Sequence, residues 1–113
     1  MAIDLSKLKL FELPKKEIEI DILGEKQKVT VSAHSDAELI RIFDIKDTFK
    51  GDSSFRIRKL LLSSCVEGMT EDDAEMLISK CYPAAAVLLD AIFELTDEFE
   101  KARNAERESA EKN

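Results

Sequence analysis

The stretch Lys16–Ser32, KEIEIDILGEKQKVTVS, decides the fold class. Branched apolar residues occupy every second position on either side of a central glycine: Ile18, Ile20, Ile22, Val29 and Val31. Such alternation is typical of a β-strand with one face against a core. Because Gly24 tolerates the positive φ of a short hairpin loop, we expect a turn at Leu23–Lys26. The sequence therefore predicts a β-hairpin over residues 15–32.

A single hairpin is not stable in water, so the rest of the chain must cover its apolar face. Ser35–Glu38 (SDAE) fits a capping box and predicts a first helix that ends near Phe49. We expect either Ser53 or Ser54 to cap a second, strongly apolar helix. We expect this helix to end at Gly68.

Two further helices are predicted beyond Gly68. Thr70 is expected to cap the third, which runs to about Cys81 and has acidic residues in its first turn. Pro83 suits the first turn of a fourth and longest helix, because proline has no amide hydrogen to lose there. The predicted fold is mainly α with an N-terminal β-hairpin (α+β), with about four helices, the last long and protruding.

The 113 residues fit one domain. We divide it into an apolar arm (1–14), the hairpin (15–32), a helical core (35–99) and a polar tail, helical or frayed (100–113). A net charge of −7 argues against binding to nucleic acid or to an anionic membrane surface. The N-terminus resembles neither a signal peptide nor a membrane span, so we expect a cytoplasmic protein.

Few residues in the chain suit catalysis or metal binding. His34 is the only histidine and falls where the hairpin hands over to the first helix, which favours a surface linker residue. Cys65 and Cys81 have the spacing of neither a redox pair nor a zinc site, and we expect buried core thiols. The sequence predicts no cofactor, no metal and no enzyme, although a reactive thiol at either cysteine is an alternative.

Two apolar segments could bind a partner or a second copy of the chain. The arm is too apolar for a free tail, so it either covers its own core or extends onto a neighbour. The stripe on the last helix has the spacing of a core face, and an interface would have the same spacing. The candidate residues for partner binding or self-association are Leu8, Leu10, Phe11, Leu88, Ile92, Leu95 and Phe99.

The order of these parts resembles a known family. From Leu60 to Leu95 a CVEG turn (65–68), an acidic helix start (TEDDAE, 70–75) and the helix PAAAVLLDAIFEL (83–95) follow one another. With the hairpin region and the SDAEL helix start before them, they make the chain similar to the tail assembly chaperones of long-tailed, siphovirus-like bacteriophages and prophages. The resemblance lies in order and length over most of the chain.

The resemblance implies a non-enzymatic protein that binds the tape measure protein, keeps it soluble and promotes polymerisation of the tail tube around it. The implied partners are the tape measure protein, the tail tube protein and further copies of the chain. Such chaperones are commonly made in two lengths by a programmed frameshift, and the resemblance implies association with a longer form. The last residues, Glu111–Asn113, are compatible with a slippery A AAA AAC codon run. The resemblance also implies that the protein acts in the host cytoplasm and is absent from the mature virion.

The composition equally permits a small acidic helical adaptor or regulator that binds one protein partner. An elongated client would bind many copies of a chaperone, whereas an adaptor would form a small complex of fixed ratio.

Overall fold

The predicted hairpin is present and is followed by four helices, the last of them long, which confirms the α+β class. The computed structural model describes residues 3–9 and 11–112, apart from the side chains of residues 8, 9 and 106–112. Its elements are α1 (Ser6–Lys9), β1 (Lys15–Ile22), β2 (Glu25–Ser32), α2 (Asp36–Thr48), α3 (Ser54–Cys65), α4 (Glu71–Lys80) and α5 (Tyr82–Lys112). The single turn α1 lies within the arm and was not predicted.

The hairpin turn is shorter than the sequence suggested. Strands β1 and β2 are antiparallel, with Ile22 opposite Glu25, so only Leu23 and Gly24 connect them. Their φ values of 52° and 86° are those of the two-residue turn whose twist matches a hairpin. The carboxylate of Asp21 accepts a hydrogen bond of 2.7 Å from the Gly24 amide and helps to hold this turn.

Helix α5 is central to the core, because the hairpin, α3 and α4 all pack against it. The largest fully buried side chains come from the hairpin, α3 and α5: Val31, Leu61, Leu62, Leu88 and Ile92. Helix α3 ends at Cys65 and not at Gly68, because Val66 turns extended and forms a bridge with Val31 of β2. Gly68 has a φ of 78° and lies in the link between this bridge and α4.

Two of the predicted helix starts are confirmed. The Ser35 hydroxyl accepts a hydrogen bond of 3.2 Å from the Glu38 amide at the start of α2, but among the described residues Glu38 does not accept from the Ser35 amide, so only half of the predicted capping box is present. At α4, Thr70 and Asp73 form a complete capping box, in which each side chain accepts from the other residue's amide at 3.1 and 3.2 Å.

Helix α3 begins at the predicted position, directly after Ser53, but without the predicted side-chain cap. Ser53 occupies the cap position, but its side chain makes no capping hydrogen bond. The carboxylate of Asp52 instead accepts from the Ser54 amide at 2.9 Å. Hydrogen bonds from the Ser54 hydroxyl and amide lower the pKa of Asp52, because they stabilise its charged form.

The backbone of α5 stays helical past the end of the core, through Lys112. An ion pair of 3.2 Å between Arg103 and Asp36 ties the first turns of this extension to α2. The radius of gyration, 16.5 Å, exceeds the roughly 13 Å of a compact chain of this size, as a protruding helix requires. Among the described residues, no helix is both long enough and apolar enough to cross a membrane.

The capping hydrogen bonds predict different costs for two similar substitutions. Thr70→Ala should lower the free energy of unfolding by about 1 kcal/mol, because it leaves the Asp73 amide without its partner. Ser53→Ala should change it by less than about 0.5 kcal/mol, since the Ser53 side chain makes no such bond. Urea unfolding followed by circular dichroism measures both values. An equal loss in the two variants would contradict this account of the helix starts.

Candidate functional site

An apolar groove lies between the turn half of the hairpin and α4. Its volume is about 450 Å³. The walls consist mainly of aliphatic and thioether side chains from both elements and from the link before α4: Ile20, Ile22, Val29, Met69, Met76 and Leu77. Cys81, between α4 and α5, lies at one end. This is an opening of the size that takes a few large side chains.

The sequence places these walls through two different periodicities. The period of two brings Ile20, Ile22 and Val29 to one face of the hairpin, where they point toward the helices. On α4, Asp73, Met76, Leu77 and Lys80 are three and four residues apart, so they share the helix face that lines the groove. One wall is consequently a rigid sheet, and the other contains flexible thioether side chains.

Much of the apolar surface in the groove is accessible. Met76 is 52% exposed, and Leu23 at the hairpin turn is 87% exposed. Methionine adapts its shape to different partners, so this surface suits the apolar face of a helix better than one rigid small molecule.

Acidic side chains outnumber basic ones along the groove. Glu67 and Asp73 both line it, and Lys80 is the one basic residue among the described residues that do so. The Asp73 carboxylate is held by the Thr70 amide and so keeps a fixed position. Basic groups flanking an apolar surface would complement this rim.

The arm contacts its own chain at the opposite end of the molecule. The ring centroids of Phe11 and Phe99 lie 5.6 Å apart. The guanidinium group of Arg103 lies over the Phe99 ring, 5.1 Å from its centroid. Leu13 is half-buried beside them, whereas Ile3 and Leu5 are 83% and 52% exposed. The arm therefore packs in part against α5 of its own chain, near the surface, and leaves Ile3 and Leu5 in solvent.

The structure separates the seven predicted partner-binding residues into three groups. Leu88, Ile92 and Leu95 lie on α5 and are buried in the hydrophobic core. The stripe therefore packs within the chain and offers no surface at these positions. Phe11 and Phe99 contact each other near the surface. The side chain of Leu8, and Leu10 as a whole, lie outside the described residues.

The groove itself was not predicted from the sequence. Its residues have the same alternation and helical spacing as core residues, so pattern alone could not separate them from the interior. The pair Met69 and Met76 was the one available signal, because methionine is common on adaptable binding surfaces as well as in cores.

The histidine and the two cysteines, which the sequence offered for catalysis or metal binding, are all buried or half-buried. His34 lies in the link between β2 and α2, half-buried, and its amide donates to the Thr96 hydroxyl at 3.0 Å. Cys65 is buried, and desolvation raises its pKa to about 12, so its thiol stays protonated at neutral pH. Cys81 is only half-buried, which differs from the predicted core position.

Within the described residues, no cluster of three histidine, cysteine or acidic side chains could hold a metal ion. Comparisons with protein-family models, with curated proteins and with solved structures find no match to this chain. The groove and the sequence resemblance are thus the two observations from which a function can be argued.

The two thiols should differ in their reaction with a small maleimide at pH 7.5. We expect fast labelling of Cys81, which lines the groove, and slow labelling of Cys65, which is buried with a raised pKa. Mass spectrometry should find one label on the native protein and two after unfolding in urea. Cys81→Ser should abolish native labelling, and Cys65→Ser should leave it unchanged. Rapid native labelling of Cys65 would contradict this assignment and revive the thiol-enzyme alternative.

Proposed function

We propose that this chain is a tail assembly chaperone of a long-tailed bacteriophage or prophage. In this role it binds the tape measure protein, keeps it soluble and promotes polymerisation of tail tube subunits around it. It acts by binding, without a cofactor and without catalysing a reaction. Tail tube protein, further copies of the chain and a frameshifted longer form are the other proposed partners. The proposed place of action is the host cytoplasm, and the mature virion would lack the protein.

The groove between the hairpin and α4 is the observation that carries this proposal. A long helical client exposes apolar stripes that aggregate in water, and an apolar groove with one adaptable wall can cover them. Because Met76 and Leu23 are exposed in the free chain, covering them adds apolar burial that favours binding.

Charge supports the same role. When many copies coat one client, each adds a net charge of −7. The resulting complexes repel one another, which keeps them soluble. The acidic rim favours client helices whose apolar face is flanked by lysine or arginine.

The similarity of the Leu60–Leu95 segment to this family supports the proposal independently of the groove. That segment contains the C-terminal part of α3, all of α4 and the first half of α5. It therefore includes one wall of the groove and the helix that covers the hairpin.

A substitution in the groove should weaken client binding. Met76→Lys replaces an exposed apolar wall residue by a cation, so we expect about tenfold weaker binding of the tape measure protein. Co-expression of the two proteins, followed by the amount of soluble tape measure protein, measures the effect. Val87→Lys is the matched control, because Val87 is 48% exposed on α5 and does not line the groove. Equal recovery with both variants would place the client elsewhere.

The number of copies of this chain bound per partner chain separates this proposal from the adaptor alternative. A chaperone that coats an elongated client should bind in many copies per client chain, which the mass of the purified complex reveals. One or two copies per partner would favour the adaptor.

The DNA after the coding region gives an independent check. The proposal expects a slippery run, an overlapping frame and then a long helix-rich open frame. An isolated gene would count against it.

A further inference from the structure

We propose that the outer edge of β1 is a docking site for an extended segment of another protein, in which lysine or arginine alternates with branched aliphatic residues. Such a segment would add to the hairpin as a third strand. The inference concerns the edge of the sheet and not the groove, so it does not depend on the proposed function.

The backbone of β1 presents every second peptide group away from β2. The Thr30 carbonyl points out of the hairpin, since it accepts a hydrogen bond of 3.0 Å from the Glu67 amide. Glu17 lies directly opposite Thr30, so the two residues form a pair without mutual hydrogen bonds, and the amide and carbonyl of Glu17 also point outward. Because the pattern repeats every two residues, the same holds for Glu19 and Asp21.

These outward groups have no backbone partner among the described residues. The sheet has two strands, and α5 is the described helix that packs against β1. The outer edge of β2 differs, because Val66 and Glu67 cover the end of it that is remote from the turn. An extended backbone is the one partner that can pair with a whole row of alternating amides and carbonyls, so the occupant of the β1 edge is a strand.

Strand β1 lacks most of the features that protect edge strands from pairing. It is eight residues long, contains no proline and pairs with β2 in one continuous register. Natural edge strands are commonly short, bulged or interrupted by proline. The protection of β1 consists of charged side chains, which repel a strand with like charges and attract one with opposite charges.

The charges along this edge favour a basic strand. Glu17, Glu19 and Asp21 follow one another on the solvent face of β1, and all three are exposed. Lys15 and Lys16 lie at the end of the strand next to the arm, so the stretch from Glu17 to Asp21 has no cationic side chain. Asp21 is partly engaged with the turn amide, which leaves Glu17 and Glu19 as the freer carboxylates.

Strand β2 shows which side chains pair with this row. It places Lys28 opposite Glu19 and Lys26 opposite Asp21. The ion pair between Lys26 and Glu19 is 3.9 Å long and both side chains are more than half exposed, so it is weak and leaves the row open to a second cation. A lysine of the incoming strand would approach from the other side, on a backbone about 4.8 Å from β1.

The alternate positions of the incoming strand would be aliphatic. They would lie beside Ile18, Ile20 and Ile22, whose side chains share the face toward the helices. Ile18 and Ile22 are half-buried against the core, so aliphatic neighbours would cover their remaining exposed surface. In such contacts the backbone hydrogen bonds provide affinity and the alternate side chains provide specificity.

A synthetic peptide in which lysine alternates with valine tests the site, with amide hydrogen exchange followed by NMR. In the free chain, the amides of Glu17 and Glu19 should exchange faster than those of Ile18 and Ile20, which bond to β2. At saturation the peptide should slow exchange at Glu17 and Glu19 about tenfold or more. Exchange at these two amides that the peptide leaves unchanged would overturn the inference.

Two control peptides separate strand addition from simple charge attraction. A peptide methylated on the backbone nitrogens that face β1 keeps every charge but cannot donate, and we expect it to bind about tenfold more weakly. A peptide with glutamate in place of lysine should not bind, because its charges repel those of β1. Equal binding of the lysine peptide and either control would overturn the inference.

Variants of the full chain locate the peptide. Glu19→Pro removes one outward amide and leaves the hydrogen bonds to β2 intact, and Glu17→Lys/Glu19→Lys reverses the charge without a change to the backbone. Each should bind the lysine peptide about tenfold more weakly, and the second should gain binding of the glutamate peptide. Met76→Lys alters the groove and should bind like the unaltered chain. Full binding by Glu17→Lys/Glu19→Lys, or loss of binding in Met76→Lys, would place the peptide elsewhere and overturn the inference.

Discussion

Burial of one face of a two-stranded hairpin is the constraint on which the rest of the structure depends. Two strands alone do not hold together in water, and here α5 covers their apolar face with Leu88 and Ile92, which are fully buried. Helices α3 and α4 then pack against α5. The bridge between Val31 and Val66 adds a second tie, because it fastens the end of α3 to the outer edge of β2.

The junction between the hairpin and the helices shows how this burial is made compatible with the polar backbone. The chain leaves β2 beside α5, where the amide of His34 would be poorly solvated. Thr96 of α5 is buried, accepts a hydrogen bond from that amide and donates its own to the Ile92 carbonyl at 2.8 Å. Pro14 accepts from the Ala33 amide at 3.0 Å on the same side. A buried backbone amide without such a partner would cost about 1–3 kcal/mol.

Local patterns predicted the elements well, and tertiary arrangement explains where they did not. Alternation predicted the hairpin, and the side chain of Thr70 marked the start of α4, since these signals depend on near neighbours only. The start of α3 was predicted at the right position but with the wrong cap, because the Asp52 carboxylate accepts from the Ser54 amide while the Ser53 hydroxyl makes no capping bond. The Leu88–Leu95 stripe could not be assigned to core or interface, because both have the same spacing and only the position of the hairpin decides between them.

The groove follows from the same constraint, because one helix covers only part of the hairpin face. Along β2, burial declines toward the turn, from the fully buried Val31 to the half-buried Val29; on β1, Ile20 is 4% exposed and Ile22, nearer the turn, is half-buried. Gln27 belongs to this face by its alternation with Val29, yet it is exposed and lines the groove. A glutamine would be costly inside a core, since its amide would lose water without gaining protein partners. The polar residue thus marks where the core ends, and the apolar residues around it form a surface that α5 and α4 leave uncovered.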